Sequence, residues 1–572
     1  MASNFFNKAS LVMVPDAPID GKLPSVKPED RSGDFTFSRG SNLAATRVNK
    51  SGLIEKGREN LLLQSNQFDT TWSSINASET SGQSGYDGTN NAWAFTDNTA
   101  NDIHSLAQYG KWTTSVCTGS IYVKAGSLSK FYVSNGSSGI GVFFNLSNGS
   151  VEGVTGAVIA QSITSVGGDW YRLSVTMQSA GTFLIGTYQT FVSGDYNASI
   201  RYTGTGTGNI YIQDAQLEQG LVATEYIETT TAAVQKGILE NLPRLDYSGG
   251  ASCPSLLLEP QRTNILAYSE GMFDSSNFNQ INGIAVTGQQ TDLNGTNTAV
   301  KFSNFVQSSA RLDYNTVVAA VDGKTYTYSA YYKGSGDIRI NVSTSTGVGG
   351  AGEKTITLTD EWVRHSITTT FSSPTGNVKS HLAITRTANN DAEVYMCFAQ
   401  IEEGGYPTSY IPTYGTSQTR SAEDTLLNDL YTNHLITASG GTWFLEIKNN
   451  IPLKRDAIGD FFIADTFNSS NNAFVFRGNL SSTRLSLNKR VSGSLSLLYQ
   501  TTQDDLKIAI KWNGTSVDVF ENGAKVVSAS PFTATALNFF RGSAIDITKQ
   551  IQQTLLFPTA LTDDECIALT TI

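Results

Sequence analysis

Charged side chains and cysteines are both scarce in this sequence. Only 16% of the 572 residues are Asp, Glu, Lys or Arg, which disfavours long solvent-facing helices and favours short strands joined by tight turns. The cysteines lie too far apart for a metal or redox motif, and each stands in or beside an apolar stretch. We therefore expect an all-β chain without a disulfide framework, in which four small thiols are buried: Cys117, Cys253, Cys397 and Cys566.

Long apolar runs and dense basic runs are also absent. No stretch approaches the roughly 18 apolar residues of a membrane span, and the first residues lack the apolar core of a signal peptide. We expect neither membrane insertion nor a cleaved signal. The formal net charge is −11, with no concentrated patch of Lys and Arg. A phosphate backbone would be repelled on average, so the sequence predicts no nucleic-acid partner.

Recognisable catalytic motifs are missing as well. The histidines stand in unrelated segments without a metal-ligand spacing, which indicates structural or surface roles: His104, His365, His381 and His434. The glycine-rich run 204–209 precedes a strand-like segment, so it predicts a turn rather than a phosphate-binding loop. Glu218 and Glu402 recur at one position of an internal repeat, which favours a structural role over an acid catalyst. The sequence predicts a non-enzymatic protein.

An internal duplication is the strongest positive signal. The segment "RENLLLQSNQFDTTW" returns as "RTNILAYSEGMFDSSNF", and four further matches follow in order, including "GDWYRLSVTM" with "DEWVRHSITT". The spacing of about 190 to 210 residues makes each copy a complete domain. Segments such as "SIYVKA" alternate apolar and polar residues, which is typical of an antiparallel sandwich with one buried face. We place copy 1 at 58–230 and copy 2 at 262–420.

The remaining segments differ from the repeat. Residues 421–572 are strand-like, with hairpin turns at Asn513-Gly514 and Asn522-Gly523 and a short closing helix capped by Thr562. Residues 1–57 contain four prolines and cannot build a core alone, so we predict an extended arm that is ordered by docking onto a partner or a neighbouring subunit. Residues 231–261 form a linker.

Tryptophans are the candidate ligand contacts. Sugar recognition commonly uses aromatic faces that stack on pyranose rings. Trp72 and Trp93 are the best candidates, because copy 2 replaces them with Asn277 or Phe278 and with Val300. Trp512 of the C-terminal region is a third carbohydrate-binding candidate.

Both copies resemble a known family of binding modules. "NLLLQSNQFDTTW", "NILAYSEGMFDSSNF" and the closing "YIQDAQLEQG" resemble the jelly-roll carbohydrate-binding modules of polysaccharide-degrading enzymes. In copy 1 this resemblance implies a structural calcium near Asp69 and Asp214, with no other cofactor. Copy 2 keeps Asp274 but has Phe398 opposite Asp214. The C-terminal "WNGTSVDVFENGAKV" and "LLFPTALTDDECIAL" resemble concanavalin A-like and laminin-G-like lectin sandwiches.

Three further segments resemble virion proteins. "GDFTFSRGSNLAATRVNKSGLIE", "LPRLDYSGGASCPSLLLEPQRTN" and "GGYPTSYIPT" are similar to segments of fibre and decoration proteins of tailed bacteriophages, notably those of Bacteroidetes hosts. This resemblance implies a head or tail fibre or decoration subunit, made in the host cytoplasm, released by lysis and displayed on the virion surface. The arm would bind other virion proteins and the sandwiches would bind host or environmental glycans, in a homotrimer by analogy. A polysaccharide depolymerase tail spike and a spacer without sugar binding are the alternatives.

Overall fold

The computed structural model describes the chain at residues 3–40, 43–250, 252–271, 278–281, 284–303, 311–384, 392–448, 460–466, 471–478, 485–503, 505–533, 535–543 and 549–571. Strands dominate the described residues, and the strand pairs among them are antiparallel. The all-β prediction is confirmed, as several antiparallel β-sandwich sheets. None of the described helices is long and apolar enough to cross a lipid bilayer.

The first 57 residues and copy 1 contribute nineteen strands and two short helices. The arm contains α1 (Ser3–Lys8), β1 (Leu11–Met13), β2 (Lys22–Leu23), β3 (Phe35–Ser38), β4 (Thr46–Val48) and β5 (Ile54–Lys56). Copy 1 contains β6 (Arg58–Asn60), β7 (Ser73–Ile75), β8 (Ala77–Gln83), β9 (Ala92–Asp97), β10 (Asn101–Trp112), β11 (Cys117–Ala125), β12 (Lys130–Asn135), β13 (Ile140–Asn145), β14 (Ser150–Thr155), β15 (Ala160–Gly167), β16 (Trp170–Met177), β17 (Gly181–Thr187), α2 (Tyr196–Ile200), β18 (Arg201–Thr203) and β19 (Asn209–Gln219).

The linker and copy 2 follow. The linker contains β20 (Val234–Lys236), β21 (Arg244–Asp246), a 3₁₀ turn (Ser248–Gly250) and β22 (Ser255–Leu258). Copy 2 contains β23 (Arg262–Asn264), β24 (Phe278–Ile281), β25 (Ala285–Gln290), β26 (Ala299–Ser303), β27 (Arg311–Ala319), β28 (Thr325–Ser335), β29 (Asp337–Thr344), β30 (Ala351–Thr357), β31 (Val363–Thr370), β32 (Asn377–Ile384), β33 (Glu393–Glu403) and β34 (Gln418–Arg420).

The C-terminal region ends in the helix that the sequence predicts. It contains β35 (Asp424–Leu427), β36 (Gly441–Lys448), β37 (Asp460–Ala464), β38 (Ala473–Gly478), β39 (Leu485–Val491), β40 (Ser494–Thr501), β41 (Asp505–Trp512), β42 (Ser516–Glu521), β43 (Ala524–Pro531), β44 (Phe539–Ser543), β45 (Lys549–Phe557) and α3 (Asp563–Thr570). Thr562 caps α3 in a reciprocal capping box with Glu565. Asn522 and Gly523 both have positive φ, as a two-residue hairpin turn between β42 and β43 requires.

Each copy is a two-sheet sandwich around its own apolar core. In copy 1, one sheet has the strand order β14-β13-β12-β17-β10-β18, with β7 beside β10. It packs on a second sheet, which we call sheet A1 and which has the order β15-β16-β11-β19-β9-β8. In copy 2, a sheet with the order β24-β27-β32-β29-β30 packs on sheet A2, which has the order β31-β28-β33-β26-β25. The strand orders of sheets A1 and A2 correspond one for one from β16 and β31 onward, so the duplication seen in the sequence is a duplication of the fold. The jelly-roll and concanavalin A-like assignments stay predictions.

Equivalent buried polar side chains stabilise each copy internally. Asn60 donates through Nδ2 to two backbone carbonyls, in β19 and in the segment after it, at 3.2 and 2.8 Å. Asn264 makes the equivalent bonds in copy 2 at 3.2 and 2.9 Å. The Glu218 carboxylate accepts from the backbone N–H and the hydroxyl of Thr224 at 2.8 and 2.6 Å. Glu402 accepts from Thr408 in the same way at 2.7 and 2.7 Å. The structural role predicted for both glutamates is confirmed.

The arm is ordered on its own chain. Strand β1 pairs with β45, bringing Leu11 opposite Leu556, and β3 pairs with β35. The linker strands β21 and β22 extend the same sheet beside β45. Apolar side chains from the arm and the linker, among them Phe35 and Leu256, pack in the C-terminal core. The sequence predicts that the arm becomes ordered by docking onto another protein or a neighbouring subunit. In the structure the arm is instead ordered by pairing with the C-terminal sandwich of its own chain.

A buried ion cluster joins the arm, the linker, copy 2 and the C-terminal region. Glu423 lies 2.5 Å from Arg244 and 3.0 Å from Arg39, while Glu259 lies 2.9 Å from Arg244 and 3.1 Å from Arg420. These five side chains are at most 1% exposed. Burial alone would raise the pKa of Glu259, but Arg420 and Arg244 bring it down to about 2. Such charges are tolerated in a core only when they are paired.

The cysteines follow the sequence prediction with one correction. Cys117, Cys397 and Cys566 are buried free thiols, whereas Cys253 is exposed in the linker. The apolar neighbours of Cys253 in the sequence belong to β22, which begins two residues later, so the cysteine itself stays outside the core.

Candidate functional site

The outer face of sheet A1 carries a regular row of polar side chains. Strand alternation turns Ile121 and Val123 of β11 into the core and leaves Ser120 and Tyr122 on the opposite face. The register with β16 places Tyr122 opposite Arg172 and Ser120 opposite Ser174. The sequence of these two strands therefore builds a hydroxyl-rich surface with an arginine and a tyrosine side by side.

Arg172 and Tyr122 form one unit on this face. The guanidinium carbon lies 5.3 Å from the centre of the Tyr122 ring, within the range of a cation–π contact. One guanidinium nitrogen donates to the Ser120 hydroxyl at 3.2 Å and also to the backbone carbonyl of Thr224. Tyr86 stacks on Tyr122 with ring centres 3.8 Å apart. These contacts fix the positions of both side chains before any ligand arrives.

A cleft of about 430 Å³ opens over this surface. We call it the copy 1 cleft. Arg172 lines the cleft together with hydroxyl groups and apolar side chains. The hydroxyl groups belong to Tyr122, Ser162, Thr164, Ser174 and Thr176. The apolar side chains are Val166, Leu221, Val222 and Ala223. The cleft has the size of a small-molecule site and mixes hydrogen-bonding groups with apolar walls, as sites for sugars require.

Copy 2 contributes to the copy 1 cleft. Gln289 and Asn297, both exposed, complete its lining. The Gln289 amide donates to the backbone carbonyl of Ile159 at 3.2 Å, which holds the tip of β25 against copy 1. The Gln178 side chain and the Tyr268 hydroxyl form a second contact between the copies, at 2.6 and 2.8 Å. The site is thus shared between two modules.

The equivalent face of copy 2 has the same residues but different surroundings. Tyr331 lies opposite Arg364 in the β28–β31 register, the Arg364 guanidinium carbon lies 5.8 Å from the Tyr331 ring, and Arg364 donates to Ser329 at 2.9 Å. The β4–β5 hairpin of the arm, the linker and Gln550 pack beside this face and line a pocket of about 250 Å³. The chain therefore uses one of its two equivalent faces as an internal contact.

The tryptophans predicted to stack on sugars lie in the core instead. Trp72 and Trp93 are 8% and 5% exposed, pack on Phe68 and donate their indole N–H groups to backbone carbonyls at 3.0 Å. Trp512 is fully buried in the C-terminal core. This is a correction to the sequence prediction. Val300, which replaces Trp93 in copy 2, is also a core residue, so the replacement changes core volume and not a ligand contact.

The two predicted calcium ligands differ in their surroundings. Asp69 is exposed. Asp214 is buried at a bulge of β19 and accepts a hydrogen bond from the Tyr86 hydroxyl at 2.9 Å. Burial raises the pKa of Asp214 to about 6, against the opposing effect of that hydrogen bond. Among the described residues, no group of three His, Cys, Asp or Glu side chains is arranged to hold a metal ion. The calcium that the resemblance implies stays a prediction.

The glycine-rich run 204–209 binds a side chain of its own domain. The backbone N–H groups of Thr205, Gly206 and Gly208 donate to the Asp97 carboxylate at 3.1, 3.0 and 2.9 Å. The loop is therefore a structural turn, as the sequence predicts, and its amides are already used.

Comparisons with known proteins give distant similarities only. No family model and no curated protein matches the chain. Among solved structures, it is similar to the CBM22-1–GH10 modules of Clostridium thermocellum xylanase 10B complexed with xylohexaose (14% identity, 25% of this chain, 28% of that chain, TM-score 0.20). It is also similar to the CBM40 of Ruminococcus gnavus IT-sialidase bound to α2,3-sialyllactose (16%, 25%, 91%, 0.20) and to the enzymatically active domain of bacteriophage CBA120 tailspike protein 4 (8%, 24%, 21%, 0.21).

The chain spans less than a third of the length of the xylanase and tailspike structures. With TM-scores near 0.2, these similarities support no conclusion about a ligand or an activity.

Proposed function

We propose that this chain is a glycan-binding surface protein of a tailed-phage virion, and that the copy 1 cleft is its binding site. The observation that carries the binding proposal is the contrast between two equivalent faces. The cleft at sheet A1 measures about 430 Å³ and is lined by hydroxyl groups and an arginine, whereas the equivalent pocket at sheet A2 measures about 250 Å³ and is lined in part by the arm and the linker.

The virion role rests on the segments that resemble fibre and decoration proteins. The proposal places the chain on the particle surface as a head or tail fibre or decoration subunit, assembled as a homotrimer and released by host lysis. Several copies on one particle would raise a weak sugar affinity, because linked sites act at high effective concentration. Contacts with other virion proteins would come from the C-terminal sandwich together with the arm that completes it.

The proposal is tested by glycan binding of the full-length chain and matched variants. A glycan array is followed by calorimetry on any hit. Tyr122→Ala should weaken binding at least about tenfold, since about 1.4 kcal/mol corresponds to a factor of ten. Tyr331→Ala, the equivalent change in copy 2, should leave the affinity unchanged. Thr164→Trp fills the cleft from an exposed position and should also block binding without touching the core.

Absence of any glycan hit would contradict the binding proposal and favour the second candidate, a spacer. The spacer is supported by the covered face of sheet A2, which shows that this kind of face can serve as an inter-domain contact. We also propose that the chain is not an enzyme. Incubation with host capsular polysaccharide should release no oligosaccharide, and release would indicate a depolymerase.

A further inference from the structure

Arg172 differs from three buried arginines of this protein in its partners. Arg39, Arg244 and Arg420 each lie within salt-bridge distance of a buried glutamate. Arg172 lines the copy 1 cleft, and its polar contacts are to the Ser120 hydroxyl and the Thr224 carbonyl. No carboxylate among the described residues lies within salt-bridge distance of its guanidinium. Its Nε–H is buried without a hydrogen-bond partner among the described residues, a property that it shares with Arg364 and Arg420.

An arginine in this position carries a full positive charge. Its guanidinium stays protonated at physiological pH, and it binds planar anions such as carboxylates better than neutral acceptors. Arg172 is near enough to Asp214 to oppose slightly the increase in the pKa of that carboxyl, which burial causes. A half-buried cation that no carboxylate of the described residues contacts directly is a position where an anionic ligand group can gain, since part of the desolvation has already occurred on folding. The hydroxyl groups around it suit the uncharged part of a sugar.

Copy 2 shows what the chain places beside the equivalent pair. The cavity that contains Tyr331 and Arg364 is also lined by Asp246 and Glu259 of the linker. Asp246 is near enough to help raise the pKa of Tyr331, although burial is the main cause of that increase. Neither carboxylate lies within salt-bridge distance of Arg364, because Glu259 pairs with Arg244 and Arg420 instead. The pocket of copy 2 therefore contains carboxylates in its lining, whereas the lining of the copy 1 cleft contains none.

We propose that the copy 1 cleft selects glycans that carry a carboxylate, and that this carboxylate pairs with Arg172. The inference rests on the proposed glycan-binding function and narrows its ligand class. The net charge of −11 disfavours polyanions at long range. Selection of an acidic sugar would therefore depend on the local charge of Arg172, and removing that charge should abolish the preference rather than merely reduce it.

The test compares acidic glycans with their methyl esters on the full-length chain. The probes are hexagalacturonate, hexamannuronate and a hyaluronan hexasaccharide, each as the free acid and as the methyl ester, with xylohexaose as a neutral control. At least one acid should bind about tenfold more tightly than its ester, the size expected for a hydrogen bond to a charged group. Arg172→Gln should remove this difference, Arg172→Lys should retain part of it, and Arg364→Gln should leave it unchanged.

Two results would overturn the inference. Equal binding of every acid and its ester would do so, and so would an acid preference that survives in Arg172→Gln. If glycans bind without a charge preference and Thr164→Trp blocks them, the proposed function stands and the inference fails. If no glycan binds, both fail. Thermal unfolding of each Arg172 variant separates lost recognition from lost folding, and the Lys variant supplies a folded comparison if the Gln variant is unstable.

Discussion

The two copies of the repeat share their internal architecture and differ in what covers them. Asn60 and Asn264 make the same hydrogen bonds, and Tyr122 and Tyr331 stand beside equivalent arginines. Yet the arm and the linker line the pocket at the copy 2 face, while copy 2 itself lines part of the larger cleft at the copy 1 face. A duplicated module can thus keep its fold and its surface residues while its two copies pack against different parts of the chain.

The largest effect should come from the ion cluster that ties copy 2 to the C-terminal region. Glu423→Ala leaves Arg244 and Arg39 without their shared buried carboxylate, and breaking a buried pair from one side costs about 3–5 kcal/mol. Urea unfolding should show this loss, and hydrogen exchange should locate it in copy 2, the arm and the C-terminal sandwich. Equal loss of protection in copy 1 would contradict the separation of the two copies.

Replacing the buried asparagine should lower the free energy of unfolding by the same amount in both copies. Asn60→Ala and Asn264→Ala each leave buried backbone groups unpaired, at about 2–3 kcal/mol per variant. The measurement is chemical unfolding followed by hydrogen exchange in each module. A clearly unequal cost would mean that the shared hydrogen bonds do not carry the shared fold.

The pH dependence should differ between the copies at one position. Asp214 has a folded pKa of about 6, above the value of about 3.9 expected in the unfolded chain. Folding therefore favours the protonated form, and the associated stability is present below pH 4 and lost as the pH rises through 6. Asp214→Asn should stabilise copy 1 by up to about 3 kcal/mol at pH 7.5 and by nothing near pH 4. Thermal unfolding at both pH values measures this.

Copy 2 serves as the internal control for that titration. Phe398 occupies the bulge position that Asp214 occupies in copy 1, and both residues have positive φ. Phe398 cannot titrate, so the free energy of unfolding of copy 2 should show no pH-dependent contribution from this position. A variant Asp214→Asn that is less stable at pH 7.5 would show that the ionised carboxylate is needed.

The smallest effect, a loss of glycan affinity, should come from removing the copy 2 side chains that line the copy 1 cleft. The double variant Gln289→Ala and Asn297→Ala removes two exposed amides from its lining. Affinity for a glycan that binds the copy 1 cleft should fall about fivefold, or about 1 kcal/mol. Thermal stability should fall only slightly, because the hydrogen bond from Gln289 to Ile159 is lost at an exposed position. The exposed Glu361 of copy 2 provides the control variant Glu361→Ala. Unchanged affinity in the double variant would confine recognition to copy 1.

The sequence predicts the repeat and the strands well because both are local patterns. The alternation in "SIYVKA" corresponds to β11, and the Thr562 cap begins α3. The arm could not be placed in the same way. Strands β1 and β2 have three and two residues, and β1 pairs with β45 more than 500 residues away. Nothing in such short segments identifies a distant partner.

The site was harder to predict than the fold. Exposed aromatic residues cannot be told from core residues by type alone, so Trp72 and Trp93 were more prominent in the sequence than Tyr122. The usable signal was a Tyr and an Arg at outward positions of both copies. The structural register aligns Ser120 and Tyr122 with Ser329 and Tyr331. The sequence alignment of "GSIYVKAGS" with "SAYYKGSGD" is shifted by one residue, which turns every side chain to the other face of the strand.

Hydrogen–deuterium exchange with and without a bound glycan can show whether the glycan binds at the copy 1 cleft, because it reports on both equivalent faces in one experiment. A glycan identified by the array should protect β11, β16 and the segment 221–223 of copy 1. The equivalent strands of copy 2, β28 and β31, should remain unchanged. Protection of β28 and β31 with no change in β11 and β16 would contradict glycan binding at the copy 1 cleft.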